Sequence, residues 1–250
     1  MEFKRIIETK YLNKTFGTGK ESLLAINNVS FDLLEGEFLG IMGASGSGKT
    51  SLLNLISSNT RPTSGEIIFK GKNLSQFSRK EIEDYRGDLV TYIFQEYRLI
   101  ANLTSYENIL VPFALHNKKE DSKKIKNLAK ELGVYESLNK YPSQLSGGQK
   151  QRIAAIRALA IEPEILLADE PTGALDYRGT QKLMQVFDKF NKKFNTSIIM
   201  ATHDKYAASF CDRIILLKNG KIFNEISKNE LESRTEFEQR IDLASKQLIR

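Results

Sequence analysis

The residues Gly43-Ala44-Ser45-Gly46-Ser47-Gly48-Lys49-Thr50 have the types and spacing of a phosphate cradle. Gly43, Gly46 and Gly48 let the backbone turn tightly enough for successive N–H groups to face one anion. A following helix, entered at Ser51, adds the positive end of its dipole. Lys49 supplies a mobile cation and Thr50 a hydroxyl for Mg2+, so the loop predicts capture of the β- and γ-phosphates of a nucleoside triphosphate. A second chemical pair, Asp169-Glu170, ends the apolar run Ile165-Leu166-Leu167-Ala168. At the mouth of a buried strand these two acids take different jobs. Asp169 suits holding Mg2+ through water or from behind its direct ligands, and Glu170 suits orienting or deprotonating a water that attacks the γ-phosphate.

The elements that must position these groups follow from periodicity. Phe38-Leu39-Gly40-Ile41-Met42 is short and wholly apolar, as a strand buried on both faces should be, and it delivers the chain into the phosphate loop. Strands are also predicted over 3–9 and 29–34, separated by turn residues, and a hairpin-like segment over 66–72 follows Pro62 and Gly65. From about Glu96 to Ala155 the pattern turns helical, with breaks predicted at Pro112 and Tyr141-Pro142. Strand signals return at 165–168, 197–200 and 213–217, with a helix over 181–190 between the first two, which predicts a parallel sheet with helices on its faces. After Lys228, the positions Phe237, Ile241, Ala244 and Leu248 form one helical stripe suited to packing on the chain's own core.

Composition limits the alternatives. A chain of 250 residues with 40% hydrophobic content is long enough for one sizeable core with an inserted subdomain. No apolar run approaches the roughly 20 residues that cross a bilayer, and residues 1–10 lack the apolar core of a secretion signal, so the expected location is the cytoplasm. One cysteine, Cys211, forbids an internal disulfide and reads as core filling. The net charge of +6 suits an anionic partner, either nucleic acid or the anionic inner face of a membrane. The mixed-charge run over 118–126 reads as a solvated helix face, and His116, set among polar residues, as a surface residue.

Further along, Leu145-Ser146-Gly147-Gly148-Gln149 completes a set that resembles the ATP-binding-cassette (ABC) ATPases. In order come the phosphate loop, Gln95 within Ile93-Phe94-Gln95, this signature, Asp169-Glu170, Ala174-Leu175-Asp176 and Thr202-His203-Asp204. The resemblance spans about Lys4 to Asn224. It implies an α/β P-loop NTPase core with an N-terminal antiparallel β subdomain and an inserted α-helical subdomain. The implied boundaries are 1–94 and 156–226 for the core, 95–155 for the helical subdomain and 227–250 for a helical tail. It also implies an ATPase that uses Mg2+, with Glu170, Gln95 and His203 catalytic and Gln95 sensing the metal and the attacking water. Two copies would sandwich ATP, so that Ser146, Gly147, Gly148, Gln149 and Asp176 of one meet the nucleotide on the loop of the other. An aromatic ring near residue 16 stacks on adenine in such proteins. Phe16 is favoured by the adjoining Gly17, with Tyr11 as the competing ring.

Within the family, Lys140-Tyr141-Pro142, Ser146-Gly147-Gly148-Gln149-Lys150-Gln151-Arg152 and the stretch 198–204 look most like the bacitracin-type exporters, in the branch that also holds macrolide-exporter and lipoprotein-release ATPases. That likeness implies a separate membrane permease, attachment at the cytoplasmic face of the membrane through it, resistance to cell-wall-directed antimicrobial peptides, and a sensor histidine kinase reached through the permease. Residues Glu96-Tyr97-Arg98-Leu99 are the expected docking point for the permease. The alternative is an ATPase that regulates cell-envelope hydrolases or lipoprotein release. Action on nucleic acid is not expected, since neither a long coiled-coil insertion nor a second cassette is present.

Overall fold

The computed structural model describes residues 4–248. Phe3, expected in the first strand, and residues 249–250 of the expected tail lie outside them. The N-terminal part is a four-stranded antiparallel sheet in the order β2-β1-β4-β5. It is made of β1 (Arg5–Phe16), β2 (Leu23–Leu34), β4 (Ser64–Phe69) and the short β5 (Lys72–Asn73). β1 and β2 begin or end well beyond the predicted runs, because alternating side chains such as Ile7, Leu12, Ile26 and Leu33 bury one face while polar neighbours face outward. The pairing of β1 slips between Thr9 and Leu12, where Tyr11 takes a left-handed φ of 48°.

The second sheet has the order β10-β9-β3-β8-β7-β6. β3 (Phe38–Met42), β6 (Val90–Ile93), β7 (Ile165–Asp169), β8 (Ser197–Ala201) and β9 (Arg213–Lys218) run parallel, and β10 (Lys221–Ser227) closes one edge antiparallel. β3, β7 and β8 are buried at every position because they divide two cores. Leu39, Ile41, Ile165, Leu167 and Ile199 face the core shared with the antiparallel sheet and α1 (Lys49–Ile56). Their neighbours Phe38, Met42, Leu166, Ala168, Ile198 and Met200 face the core shared with the helices beyond. Residues after β3, β7 and β8 therefore gather at one carboxyl edge of the sheet, where open α/β sheets bind ligands.

Helices α3 (Ser105–Leu115), α4 (Ser122–Glu131) and α5 (Gly147–Ala160) fill the segment between β6 and β7. A short helix α2 (Arg79–Asp84) precedes β6, and α6 (Tyr177–Phe194) and α7 (Lys205–Ala208) follow β7 and β8. Two expectations change here. The break predicted at Pro112 does not occur: α3 continues through it. The helix is anchored at its start by a capping box between Thr104 and Glu107, and Ile109 and Phe113 are buried on either side of the proline, which offsets the one missing backbone bond. The expected boundary at 155/156 falls inside α5, which spans the joint between helical segment and core as one rigid rod. At Tyr141-Pro142 the chain does turn, through a short 3-10 segment, Pro142–Gln144.

The tail forms α8 (Arg234–Lys246), with Phe237 and Ile241 fully buried and Ala244 and Leu248 packed at the rim of the larger core. In α4, Ile125, Leu128 and Ala129 are buried, while Lys124 pairs with Glu162 at 2.6 Å. His116 is not a free surface residue. Its ring lies against Gly87 so closely that a Cβ there would come within 1.7 Å, and its Nδ1 is 3.7 Å from Asp88.

Candidate nucleotide-binding and hydrolytic site

The loop after β3 wraps the start of α1 and opens onto a cleft of about 1040 Å3. Gly43, Ala44, Ser45, Gly46, Ser47, Gly48, Lys49, Thr50 and Ser51 line its floor. The glycines are sterically required at two positions. Gly48 caps α1 at φ 107°, and a Cβ there would meet the Ala25 carbonyl oxygen at 2.5 Å; one on Gly43 would meet the Leu217 carbonyl oxygen at 2.3 Å. Lys49, only 8% exposed, donates from Nζ to the carbonyls of Gly43 at 2.9 Å and Ala44 at 3.2 Å. Its ammonium is thus held over the loop by the loop's own oxygens.

The two acids at the end of β7 differ in placement. Asp169 ends β7 at 3% exposure and lies beneath the cleft wall, whereas Glu170 lines the cleft. The turn between them puts Glu170 in a left-handed conformation, φ 48°, that a non-glycine residue adopts at a cost of about 1 kcal/mol or more. Its N–H, donating to the Ala201 carbonyl at 2.9 Å, helps hold that turn. Glu170 stands between two partners: Oε1 lies 3.8 Å from Lys49 Nζ, and Oε2 lies 2.8 Å from His203 Nδ1. The His203 backbone N–H also donates to Oε2, at 3.3 Å. Gln95, just past β6, lines the same cleft.

Burial pushes the Asp169 carboxyl above the usual carboxylate range, against hydrogen bonding from Thr50 and Tyr92 and the Lys49 charge. The Tyr92 hydroxyl approaches one of its oxygens at 3.4 Å, while Oδ1 is buried with no hydrogen-bond partner. A buried carboxylate oxygen in want of a partner, with the Thr50 hydroxyl and the Gln95 amide, is an oxygen set that fits Mg2+. Among the described residues no three His, Cys, Asp or Glu side chains form a metal cage.

Phe16, 41% exposed, lines the cleft opposite the loop together with Leu23 and Leu24, and Lys14 Nζ sits 5.0 Å from its ring centre. Tyr11 lies on the bulge of β1, outside the lining. Ser146, Gly147, Gly148, Gln149 and Asp176 are not brought into this cleft either. Ser146 caps α5, and Gln149 returns its Oε1 to the Ser146 N–H at 2.9 Å, a capping box that the Ser-x-x-Gln spacing already encodes. Asp176 caps α6, accepting from Gly179 N–H at 2.7 Å.

Further residues line the cleft, among them Tyr97, expected at the permease contact, and Gln151, within the signature stretch. Tyr97 and Gln151 join Gln95 along the wall, and a Cβ on Gly147 would stand 3.2 Å from the Tyr97 hydroxyl. Tyr97 and Arg98 both have left-handed φ, 61° and 46°, and Arg157 of α5 clamps them by donating to their carbonyls at 2.8 and 2.6 Å. Burial lowers the Arg157 guanidinium to about 10. Asn219 and Gly220 form the two-residue turn between β9 and β10, and Gly220 N–H donates to the Ser47 carbonyl at 2.9 Å, bracing the loop.

The family profile described as "ABC transporter" matches residues 26–173, more than half of the chain and the stretch that holds the loop, the signature and both acids. The chain belongs to the ABC transporter family. It is an ATPase cassette, and it binds adenine nucleotide. It is similar to the bacitracin export ATP-binding protein BceA of Halalkalibacterium halodurans, 42% identical over 234 residues, covering 93% of this chain and 92% of that protein. The lipoprotein-releasing system ATP-binding protein LolD of Buchnera aphidicola is 37% identical, covering 88% of this chain and 97% of that protein. The dimeric structure of the cassette MJ0796 of Methanocaldococcus jannaschii superposes with a TM-score of 0.85 at 37% identity, covering 90% of this chain and all of that one. A second dimeric structure of MJ0796, in a post-hydrolysis state bound to ADP and Pi, gives 0.84 at 36% identity with the same coverage.

Proposed function

We propose that this cassette powers a separate membrane permease that confers resistance to cell-wall-directed antimicrobial peptides, with two copies closing around ATP. The observation that carries the dimeric part is the division of labour within one chain. The phosphate loop, Gln95, Glu170 and His203 share a cleft, while Ser146, Gly147, Gly148, Gln149 and Asp176 lie outside it. In this reading a second copy supplies the wall that these residues form, and the similar MJ0796 structures are dimeric.

In this reading Phe16 stacks on adenine, and the loop N–H groups and Lys49 grip the β- and γ-phosphates. Glu170 orients a water at the γ-phosphorus and accepts its proton as the new P–O bond forms. The bond from the γ-phosphorus to the bridging oxygen breaks, leaving ADP and inorganic phosphate. His203, in contact with Glu170, fixes the carboxylate and reaches the γ-phosphate. Thr50 and Gln95, with Asp169 behind them, would hold Mg2+, whose charge would steady the phosphate oxygens. Ser146, Gly147 and Gly148 of the second copy present a hydroxyl and N–H groups to the same γ-phosphate, so its loss reopens the pair. No helix among the described residues is long and apolar enough to cross a membrane, which leaves membrane attachment to the permease.

The permease contact is placed at Glu96-Tyr97-Arg98-Leu99, of which Arg98 borders a groove of about 300 Å3 also walled by Ser57, Phe94, Pro112, Leu115 and Arg157. Peptide resistance rests on the likeness to BceA, and a sensor histidine kinase reached through the permease belongs to the same reading. The test is recovery of the tagged chain from native membranes in mild detergent, with identification of co-purifying proteins and bacitracin challenge of a deletion strain. A large permease and increased sensitivity support the proposal. A small permease tied to envelope regulation or lipoprotein release, with unchanged sensitivity, overturns it.

A further inference from the structure

The segment after β10 carries no motif, yet α8 reaches the two loops that flank the hydrolytic site. Phe237 and Ile241 root it in the larger core. From that root Arg234 lays its guanidinium over the ring of Phe210, 4.3 Å from the centroid. Phe210 meets Tyr206 of α7 edge-on, with centroids 5.5 Å apart and planes at 75°. Tyr206 in turn packs on Tyr177, with centroids at 5.3 Å. Tyr177 is the first residue of α6, directly after Asp176, and is 67% exposed. On the other side Lys205, two residues past His203, pairs with Asp242 of α8, which also accepts Lys246 at 2.7 Å.

We propose that Tyr206, braced by α8, is a positioning residue: it fixes Tyr177, and with it the Asp176 turn, in the orientation that meets the second copy, while the Lys205–Asp242 pair steadies the segment after His203. Aromatic edge-on and cation–ring contacts constrain orientation as well as distance, which a purely aliphatic brace does not. Leu175 packs on the larger core and Asp176 caps α6, so the Tyr206 ring adds a further contact at the residue directly after the loop. The proposal rests on the reading that Asp176 and the signature complete a site whose ATP is held by the other copy.

The test uses the full chain in a Glu170→Gln background, with ATP-driven dimerisation measured by sedimentation and ATP binding to the monomer measured separately. Tyr206→Ala is expected to weaken dimerisation about tenfold, the scale of one lost aromatic pair, with monomer ATP affinity unchanged. Tyr206→Phe keeps the ring and restores dimerisation. In a Tyr177→Ala background Tyr206→Ala has little further effect, because the two act in series. Unchanged dimerisation in Tyr206→Ala, failure of Tyr206→Phe to restore it, or full additivity with Tyr177→Ala overturns the proposal. If Tyr206→Ala does not fold, exposed Arg234→Ala probes the same chain of contacts, with about threefold weakening expected from a lost cation–ring contact and none overturning it. A Glu170→Gln parent that stays monomeric with ATP refutes the composite site itself and the proposal with it.

Discussion

Glu170 and His203 meet across the carboxyl edge of the parallel sheet, Oε2 to Nδ1 at 2.8 Å, while the other oxygen of Glu170 faces Lys49 at 3.8 Å. The carboxylate is 12% exposed and the imidazole 73%, so the acid is the enclosed member of the pair and the histidine the one that faces solvent. Fixing the acid matters because its backbone is already in a left-handed conformation that only the surrounding bonds maintain.

Glu170→Gln keeps the shape and one acceptor but removes the proton acceptor. Turnover is expected to fall by at least about a hundredfold, the lower range for loss of a positioned base, with ATP affinity retained and an ATP-bound dimer accumulating. Single-turnover hydrolysis and size-exclusion chromatography check both parts. Unchanged turnover refutes the role of Glu170.

Lys49→Ala acts at an earlier step. The ammonium is held by the carbonyls of Gly43 and Ala44, aimed over the loop, and one charge-assisted bond to phosphate contributes about 1.5–3 kcal/mol. ATP affinity is therefore expected to fall by roughly 10- to 100-fold, measured by titration calorimetry. Normal affinity in the variant removes the phosphate assignment.

The rings at 11 and 16 separate cleanly by position. Phe16→Ala is expected to weaken ATP binding about tenfold, within the range for one base stacked on an aromatic side chain, and Phe16→Tyr to restore it. Tyr11→Ala, on the β1 bulge outside the cleft, is expected to leave affinity within about twofold, a surface-substitution effect. Fluorescent-nucleotide titration distinguishes the two, and a reversed order transfers the stacking role to Tyr11.

The site was legible where chemistry forces residues to be adjacent in sequence. A phosphate gripped by consecutive N–H groups must be read from one loop, and two acids at a strand's mouth announce themselves as a pair. What escaped reading depends on contacts between distant segments. Nothing local to Tyr97 or Gln151 says that α5 will press against the residues after β6. The burial of Ile109 and Phe113 that helps carry α3 through Pro112 is likewise tertiary. Local signals were present as well: Asn219-Gly220 is a strong two-residue hairpin sequence, and Ser146 with Gln149, like Thr104 with Glu107, has capping-box spacing.

Cys211 supplies a test of the core beneath the site. Its thiol is fully buried, and a Cβ on Gly40 of β3 would meet Ile214 Cδ1 first and Sγ at 3.0 Å, so the isoleucine and the sulfur together fill the space that the glycine leaves. Burial, with Asp212 and Glu37 adding negative charge nearby, raises its pKa well above the ordinary thiol value. A thiol-specific reagent at pH 8 is therefore expected to label the native protein only as fast as it unfolds, and urea should accelerate labelling in step with loss of structure. Because the folded state favours the neutral thiol, its contribution to stability is intact below the unfolded pKa of about 8.5 and is lost as pH rises from there towards the folded value. Cys211→Ala should lose about 1 kcal/mol at pH 7 through poorer packing yet decline less steeply between pH 8.5 and 10, measured by urea denaturation across that window. Rapid labelling of the native chain, or parallel pH profiles for the two proteins, contradicts this placement of the thiol.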